Sequence, residues 1–120
     1  MPVFRDRVKD TTTGTGTGSM TLSGTAPTGY QSINTAFGVG PVFLNCIADN
    51  TSGLWETGTG YLSAATTLVR DSVFDGSSGP ATPVTFTAGS KDVFCTAAAH
   101  FLEDVDSGAQ LHRATGMAMP

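Results

Sequence analysis

Several short segments of this chain alternate apolar with polar residues, a pattern that predicts antiparallel strands. Between Ser19 and Gly24, Met20 and Leu22 fall on one face while serine and threonine fall on the other, as in a strand with one buried side. The segment 83–89 places Val84 and Phe86 on the buried face in the same way. We therefore expect an antiparallel sheet with one face on a core.

Three further segments extend the predicted sheet. The run 42–48, VFLNCIA, is short and almost entirely apolar, as expected for a central strand buried on both faces. The segment 66–74 alternates Val69 and Val73 with Arg70 and Ser72, which predicts another strand. The last core strand is predicted at DVFCTAA, residues 92–98.

Turn residues separate these segments. The sequence DNTSG at 49–53 predicts a hairpin that joins 42–48 to a strand beginning near Leu54. Gly58 and Gly60 surround Thr59 in that strand and predict a bulge or bend. The stretch DGSSGPATP at 75–83 is the strongest loop signal of the chain.

Helical spacing occurs in two places. Ile33, Ala36 and Phe37 are spaced i, i+3, i+4 before Gly38, so one or two helical turns are expected there, with the apolar side closing one end of the domain. A second short helix is predicted at 98–105, where β-branched residues give way to Ala, Leu and Glu.

The two ends of the chain differ from the middle. Arg5, Arg7 and Lys9 alternate with Asp6, Val8 and Asp10; in an extended segment they share one face, either as a solvated strand end or as a grip on an acidic partner. We expect an N-terminal arm over 1–10, a β-domain over 11–98 and a C-terminal helix and tail over 99–120. The predicted partner-contact residues are Arg5, Arg7, Lys9, Trp55, Tyr61, Met117 and Met119.

Composition narrows the class of protein. The 120 residues suit one domain, and only 13% of them are charged, with a net charge of −4, so direct binding to nucleic acid is not expected. No apolar run approaches the length of a membrane span or a signal peptide. Cys46 and Cys95 lie in apolar runs without metal-ligand spacing and are expected as buried free thiols, with a disulfide between two strands as the alternative.

The sequence contains no strong match to the motif of a phosphate-binding, metal-binding or hydrolase site. GTGTG at 14–18 has no preceding strand, no following helix and no GK[ST], so a β-forming lead-in is favoured over a phosphate loop. EDVDSG at 103–108 departs from the calcium-loop spacing, and His100 and His112 form a metal site or a hydrolase site only if the tail folds back. We expect no enzymatic site, no metal and no cofactor.

The three longest patterned segments together resemble a small module of tailed bacteriophages and prophages. They are DRVKDTTTGTGTGSMTLSGTAPTGYQSINTAF, LWETGTGYLSAATTLVRDSVFDGSSG and PVTFTAGSKDVFCT. Proteins with this module are short virion proteins or the starts of longer tail-fibre and tail-associated proteins. The resemblance covers Asp6 to Ala98 and implies a structural virion component, with no catalytic residues to transfer.

These observations lead to one interpretation with two alternatives. We expect an all-β antiparallel sandwich or barrel-like domain with one short helix and extended arms, acting as a tail or tail-fibre subunit or adaptor. It would assemble in the bacterial cytoplasm, reside in the virion, and bind copies of itself and other virion proteins. The alternatives are a decoration protein on the head and, from another class, a carbohydrate-binding module that uses Trp55 and Tyr61, since sugars stack on exposed aromatic rings.

Overall fold

Within residues 5–96, the part of the chain that the computed structural model describes, six strands and one short helix surround a single apolar core. The elements are β1 Lys9–Thr12, β2 Met20–Thr21, α1 Ile33–Phe37, β3 Phe43–Ala48, β4 Trp55–Ala64, β5 Thr67–Gly76 and β6 Lys91–Phe94. The predicted helix at 98–105 and the predicted tail lie outside the described residues.

The strands form one antiparallel sheet in the order β1-β6-β3-β4-β5-β2. Its two edge strands approach each other at an antiparallel bridge between Thr12 and Leu22, beside a hydrogen bond of 2.9 Å from the Ser23 amide to the Thr11 carbonyl. The sheet is therefore nearly closed into a barrel. The predicted all-β, antiparallel, barrel-like domain with one short helix is confirmed.

The core consists of the inward side chains of the strands, because neighbouring residues of a strand point to opposite faces. Met20 and Leu22 are both buried, as the alternation predicts, and so are Val84 and Phe86. The buried core residues are Val8, Met20, Leu22, Ile33, Phe43, Ile47, Leu62, Leu68, Val84, Phe86 and Val93.

Helix α1 closes part of the core in the predicted position. The Ser32 hydroxyl caps it by accepting a hydrogen bond from the Thr35 amide at 3.1 Å, and Gly38 ends it at φ 75°. Ile33 is fully buried, and the Phe37 ring stacks on Phe43 with 4.4 Å between the centroids. These contacts fix the helix against the start of β3.

Three segments of the structure differ from the predictions. Strand β1 begins at Lys9 and Val8 belongs to the core, so the domain begins before the boundary predicted at residue 10. The predicted strand at 19–24 keeps its alternation but pairs regularly only at Met20–Thr21. The segment 83–89 makes a single bridge, between Phe86 and Gly16, in place of a strand.

The hairpin and the bulges of the middle strands follow the predictions. Strands β3 and β4 pair along their length from Phe43–Gly60 to Ala48–Trp55. The register between β4 and β5 shifts at Thr57/Gly58 and again at Thr59/Gly60. In the part of the chain described here, no helix is both long and apolar enough to cross a membrane.

Candidate functional site

A buried ion pair between Glu56 and Arg70 joins β4 to β5 inside the barrel. Their side chains are 2% and 3% exposed, respectively. Arg70 Nε donates to Glu56 Oε2 at 2.9 Å, and Arg70 Nη2 donates to Glu56 Oε1. Two parallel hydrogen bonds of this kind fix both the distance and the orientation of the two groups.

The remaining guanidinium hydrogens bind backbone carbonyls. Arg70 Nη1 donates to the carbonyls of Gly16, at 3.0 Å, and Gly18, at 3.4 Å, while Nη2 also donates to the Val84 carbonyl at 2.8 Å. Glu56 Oε1 accepts a hydrogen bond from the Val84 amide at 3.0 Å. All five donor hydrogens of the guanidinium thus have partners within the protein. We call this network of Glu56, Arg70, Gly16, Gly18 and Val84 the internal clamp.

The internal clamp changes the interpretation of two sequence features. The sequence alternates Arg70 with the valines of its strand and assigns it no partner; the structure places its guanidinium inside the barrel, where Glu56 balances its charge and backbone carbonyls accept its hydrogen bonds. The segment 11–18, TTTGTGTG, which we call the Thr/Gly ladder, directs the carbonyls of Gly16 and Gly18 at a cation. A phosphate loop requires the opposite polarity, with amide hydrogens converging on the anion.

A second cluster, on the surface, contains two of the predicted partner-contact residues. The Arg7 guanidinium lies 3.9 Å from the centroid of the Tyr30 ring, and Lys9 Nζ lies 5.3 Å from the same centroid. Both cations therefore interact with the same aromatic ring. They border a surface cleft of about 290 Å³ lined by Arg7, Val8, Lys9, Tyr30, Phe94 and Cys95. We call it the basic cleft.

Backbone contacts hold the basic cleft in place. Arg7 has a φ of 56°, which is uncommon for a residue other than glycine, and its Nε donates to the Gly29 carbonyl at 3.1 Å. The Gln31 amide donates to the Arg7 carbonyl at 2.7 Å. Lys9 also forms an ion pair of 3.7 Å with Asp92. The cleft can bind a carboxylate through its cations and an apolar or aromatic group through Tyr30 and Phe94.

Arg5 lies apart from the other two cations. Its Nε donates to the Ala36 carbonyl at 3.0 Å, and its guanidinium lies 5.9 Å from the Phe37 ring centroid. The turn at Asp6 and Arg7 breaks the extended backbone that a common face for all three would need. The structure therefore brings together Arg7 and Lys9, and it places Arg5 against helix α1.

Trp55 and Tyr61 are separated on β4. Trp55 is 39% exposed and Tyr61 is half-buried. They lie six positions apart, which corresponds to about 20 Å along an extended strand. The two rings thus lie too far apart to stack on a single sugar ring. Met117 and Met119 lie outside the described residues.

Both cysteines are free thiols, as predicted. Cys46 pairs with Phe94 across β3 and β6, so the next residue, Cys95, points to the other face of the sheet. This orientation explains why the alternative, a disulfide, does not form. Burial raises the pKa of Cys46 to about 11, with a further contribution from the Glu56 carboxylate. Burial also raises the pKa of Cys95, against the hydrogen bond from the Arg5 amide.

Sequence reasoning did not identify Glu56 and Arg70 as partners, nor Tyr30 as the centre of the basic cleft. A signal for the ion pair exists, since Glu56 alternates with Gly58, Gly60 and Leu62 on the inward face of β4. An acidic residue on the inward face of a strand needs a buried cation.

Between residues 5 and 96, no group of three or more His, Cys, Asp or Glu side chains could hold a metal ion. The acidic segment 103–108, His100 and His112 lie outside this range.

Comparisons of the chain with models of protein families, with curated proteins and with solved structures found no match.

Proposed function

We propose that the protein is a structural subunit of a tailed-bacteriophage virion, located in the tail or its fibres. It acts by assembling with copies of itself and with other virion proteins, after synthesis in the bacterial cytoplasm. It carries out no enzymatic reaction and uses no cofactor.

One observation carries this proposal: the segments that resemble the phage module meet at the internal clamp. The Thr/Gly ladder supplies Gly16 and Gly18, the WETGTG segment supplies Glu56, LVRDSV supplies Arg70 and PVTFTAG supplies Val84. The most distinctive residues of the chain thus hold its own backbone together. A catalytic pair instead needs donors or acceptors that face the substrate, so this arrangement supports a structural role.

The basic cleft is the surface that we assign to a partner. Arg7 and Lys9 supply positive charge on a chain whose net charge is −4, and Tyr30 and Phe94 supply aromatic surface beside them. Tyrosine and arginine are enriched at protein interfaces because they combine apolar area with polar groups. A carboxylate-bearing segment of a neighbouring virion protein fits this combination.

The location is tested on phage particles produced by the bacterium that encodes the chain. Purified particles are examined by mass spectrometry and cryo-electron microscopy, and the protein is expected in the tail or fibres in a fixed number of copies. Density on the head would assign the protein to the decoration class and overturn the tail assignment. Absence from purified particles would refute the virion role altogether.

The contact surface is tested by the double change Arg7→Gln and Lys9→Gln. We expect its incorporation into particles to fall at least about tenfold, because desolvated charge contacts at interfaces contribute several kcal/mol. The control is Ser63→Glu with Ser78→Glu, two exposed positions that change the net charge by the same −2. Equal incorporation of the two variants would remove the basic cleft from the interface.

A further inference from the structure

The outer face of the sheet carries an exposed indole ring beside a small residue. Ile47 of β3 points into the core, so its neighbour Ala48 points outward. Trp55 of β4 pairs with Ala48 and therefore lies on the same outer face. Trp55 is 39% exposed, and within residues 5–96 the only other exposed large hydrophobic residue is Val39. The indole is thus open to a ligand.

A carboxylate lies on the other side of Ala48. Asp92 of β6 pairs with Ala48, so Trp55, Ala48 and Asp92 form one row across three neighbouring strands. Two strand spacings, about 10 Å, separate the backbones of the outer two. Because alanine has only a methyl group, the row is low in the middle and high at both ends. We call Trp55, Ala48, Asp92 and the adjacent Asn50 the tryptophan trough.

The polar side of the tryptophan trough is held in position by contacts within the chain. Asn50 Nδ2 donates to Asp92 Oδ2 at 3.3 Å, and Lys9 Nζ lies 3.7 Å from the same oxygen. In the part of the chain that the structure describes, these contacts use Oδ2, and the Asp92 side chain is 30% exposed. Asp92 Oδ1 and Asn50 Oδ1 can therefore accept hydrogen bonds from hydroxyl groups of a ligand.

The charges around the indole favour an uncharged ligand. Lys9 balances the charge of Asp92. The exposed Asp75 pairs with Thr57, two positions along β4 from Trp55, and so lies on the same outer face. Negative charge on both sides of the indole disfavours an anion. An aromatic ring beside a few hydrogen-bond acceptors suits a molecule with one apolar face and several hydroxyl groups.

We propose that the tryptophan trough is a binding subsite for an uncharged hexose unit of a polysaccharide. The apolar face of the sugar ring packs on Trp55, and two of its hydroxyl groups donate hydrogen bonds to Asp92 Oδ1 and Asn50 Oδ1. Tyr61 takes no part, since it lies too far along β4. This inference adds a ligand to the protein and does not depend on the proposed virion role.

The subsite can be tested directly because Trp55 is the only tryptophan of the chain. The full chain, labelled with ¹⁵N, is titrated separately with glucose, galactose, mannose and N-acetylglucosamine to about 100 mM, since a single sugar ring binds weakly. With at least one sugar we expect a saturable change in fluorescence and NMR shifts centred on Trp55, Ala48, Asn50 and Asp92. No saturable change with any of the four, or shifts centred elsewhere, would refute the proposal.

Two substitutions of the same kind test the role of the carboxylate. Asp92→Ala is expected to weaken binding of the sugar at least about tenfold, because a hydrogen bond to a charged group is lost. The matched control is Asp71→Ala, which removes another exposed carboxylate, on β5 and away from the trough. Equal affinities of the two variants would contradict the role of Asp92.

Substitutions of Trp55 test the stacking contact. Trp55→Ala is expected to abolish the NMR shift at Asp92, whereas Trp55→Phe should retain weaker binding, because it keeps an aromatic ring. Circular dichroism of both variants checks that the sheet remains folded. Unchanged sugar binding by Trp55→Ala would overturn the proposal.

Charged sugars distinguish the proposed ligand from its alternatives. Glucuronic acid is expected to bind more weakly than glucose, because Asp75 and Asp92 repel its carboxylate. Equal or tighter binding of glucuronic acid would contradict this selectivity. Binding of glucosamine at least about tenfold tighter than that of the uncharged sugars would assign the trough to a cation held by the indole and the carboxylates, and would also overturn the proposal.

Discussion

At the scale of single residues, Arg70 connects strand β4 with two separate loops. Its guanidinium joins the Glu56 carboxylate to three backbone carbonyls from two separate loops, and it lies 5.2 Å from the Phe86 ring centroid. Transferring a charge from water into a protein is costly unless another charge and hydrogen bonds replace the water. Glu56 and the carbonyls provide that replacement.

We predict that Arg70→Met lowers the free energy of unfolding by about 3–5 kcal/mol, because it leaves the Glu56 carboxylate buried without a cation. Urea denaturation of the variant and the parent measures the difference. The double variant Glu56→Leu, Arg70→Met is expected to be more stable than Arg70→Met alone, since no unpaired charge remains. A single variant within about 1 kcal/mol of the parent would show that the clamp is not essential to the fold.

At the scale of elements, strand β4 depends on glycines at the positions where it shifts register against β5. Gly58 pairs with Val73 beside the first shift, and Gly60 pairs with Arg70 beside the second. A Cβ atom at Gly58 would overlap the carbonyl oxygen of Ser72. The two strands therefore approach too closely there for any side chain.

Gly58→Ala is expected to lower the free energy of unfolding by at least about 2 kcal/mol, because the backbone of β5 must move to admit the methyl group. The matched control is Gly18→Ala, since a Cβ at Gly18 meets no atom within 4 Å and the residue has no positive φ. That control should remain within about 0.5 kcal/mol of the parent. Equal effects of the two substitutions in thermal or urea denaturation would contradict the close approach of β4 and β5.

At the scale of the whole molecule, the barrel has one weak seam. The edge strands β1 and β2 meet at the bridge between Thr12 and Leu22 and at the hydrogen bond from Ser23 to Thr11. The buried Asp10 carboxylate reinforces the seam by accepting hydrogen bonds from the Ser23 hydroxyl and the Gly24 amide. Strand β3, in contrast, is paired on both sides.

Native-state hydrogen exchange should detect this seam. The Ser23 amide is expected to exchange at least about tenfold faster than the slowest amides of β3, because opening the seam breaks few contacts and leaves the core strands paired. The substitution Asp10→Asn should increase exchange at Ser23 and Gly24 more than exchange in β3. Uniform protection across the sheet would show that the barrel opens only by global unfolding.

Much of the fold could be predicted because local alternation is enough to assign the buried side of a strand. Met20, Leu22, Val84 and Phe86 are buried as their alternation predicts, and Gly38 ends helix α1 as expected. The number of residues over which a strand pairs with its neighbour is less predictable from the sequence. Val84 and Phe86 reach the core through one bridge to Gly16, since hydrogen bonding in a sheet depends on which backbone lies alongside.

The candidate site depended more strongly on residues distant in the sequence. Arg7 and Lys9 were recognised from their charge, but Tyr30 and Phe94 join them only because β1 pairs with β6 and because the Gln31 amide binds the Arg7 carbonyl. The turn at Arg7 also places its guanidinium over the Tyr30 ring, whereas the guanidinium of Arg5 lies over the Phe37 ring. Sequence spacing alone does not show such a turn, because a non-glycine residue at positive φ is an exception.

The sequence by itself determined the class of this protein: an antiparallel β-domain with one short helix, glycine-dependent bulges and free thiols. These features follow from the size of individual side chains and from the local repeat of apolar residues, at every second position in a strand and every third or fourth in a helix. Only the tertiary structure decided that Arg70 is internal and that the Thr/Gly ladder supplies carbonyls to it. Both depend on partners far away along the chain, because a buried charge is stable only when an opposite charge and hydrogen bonds replace the water around it.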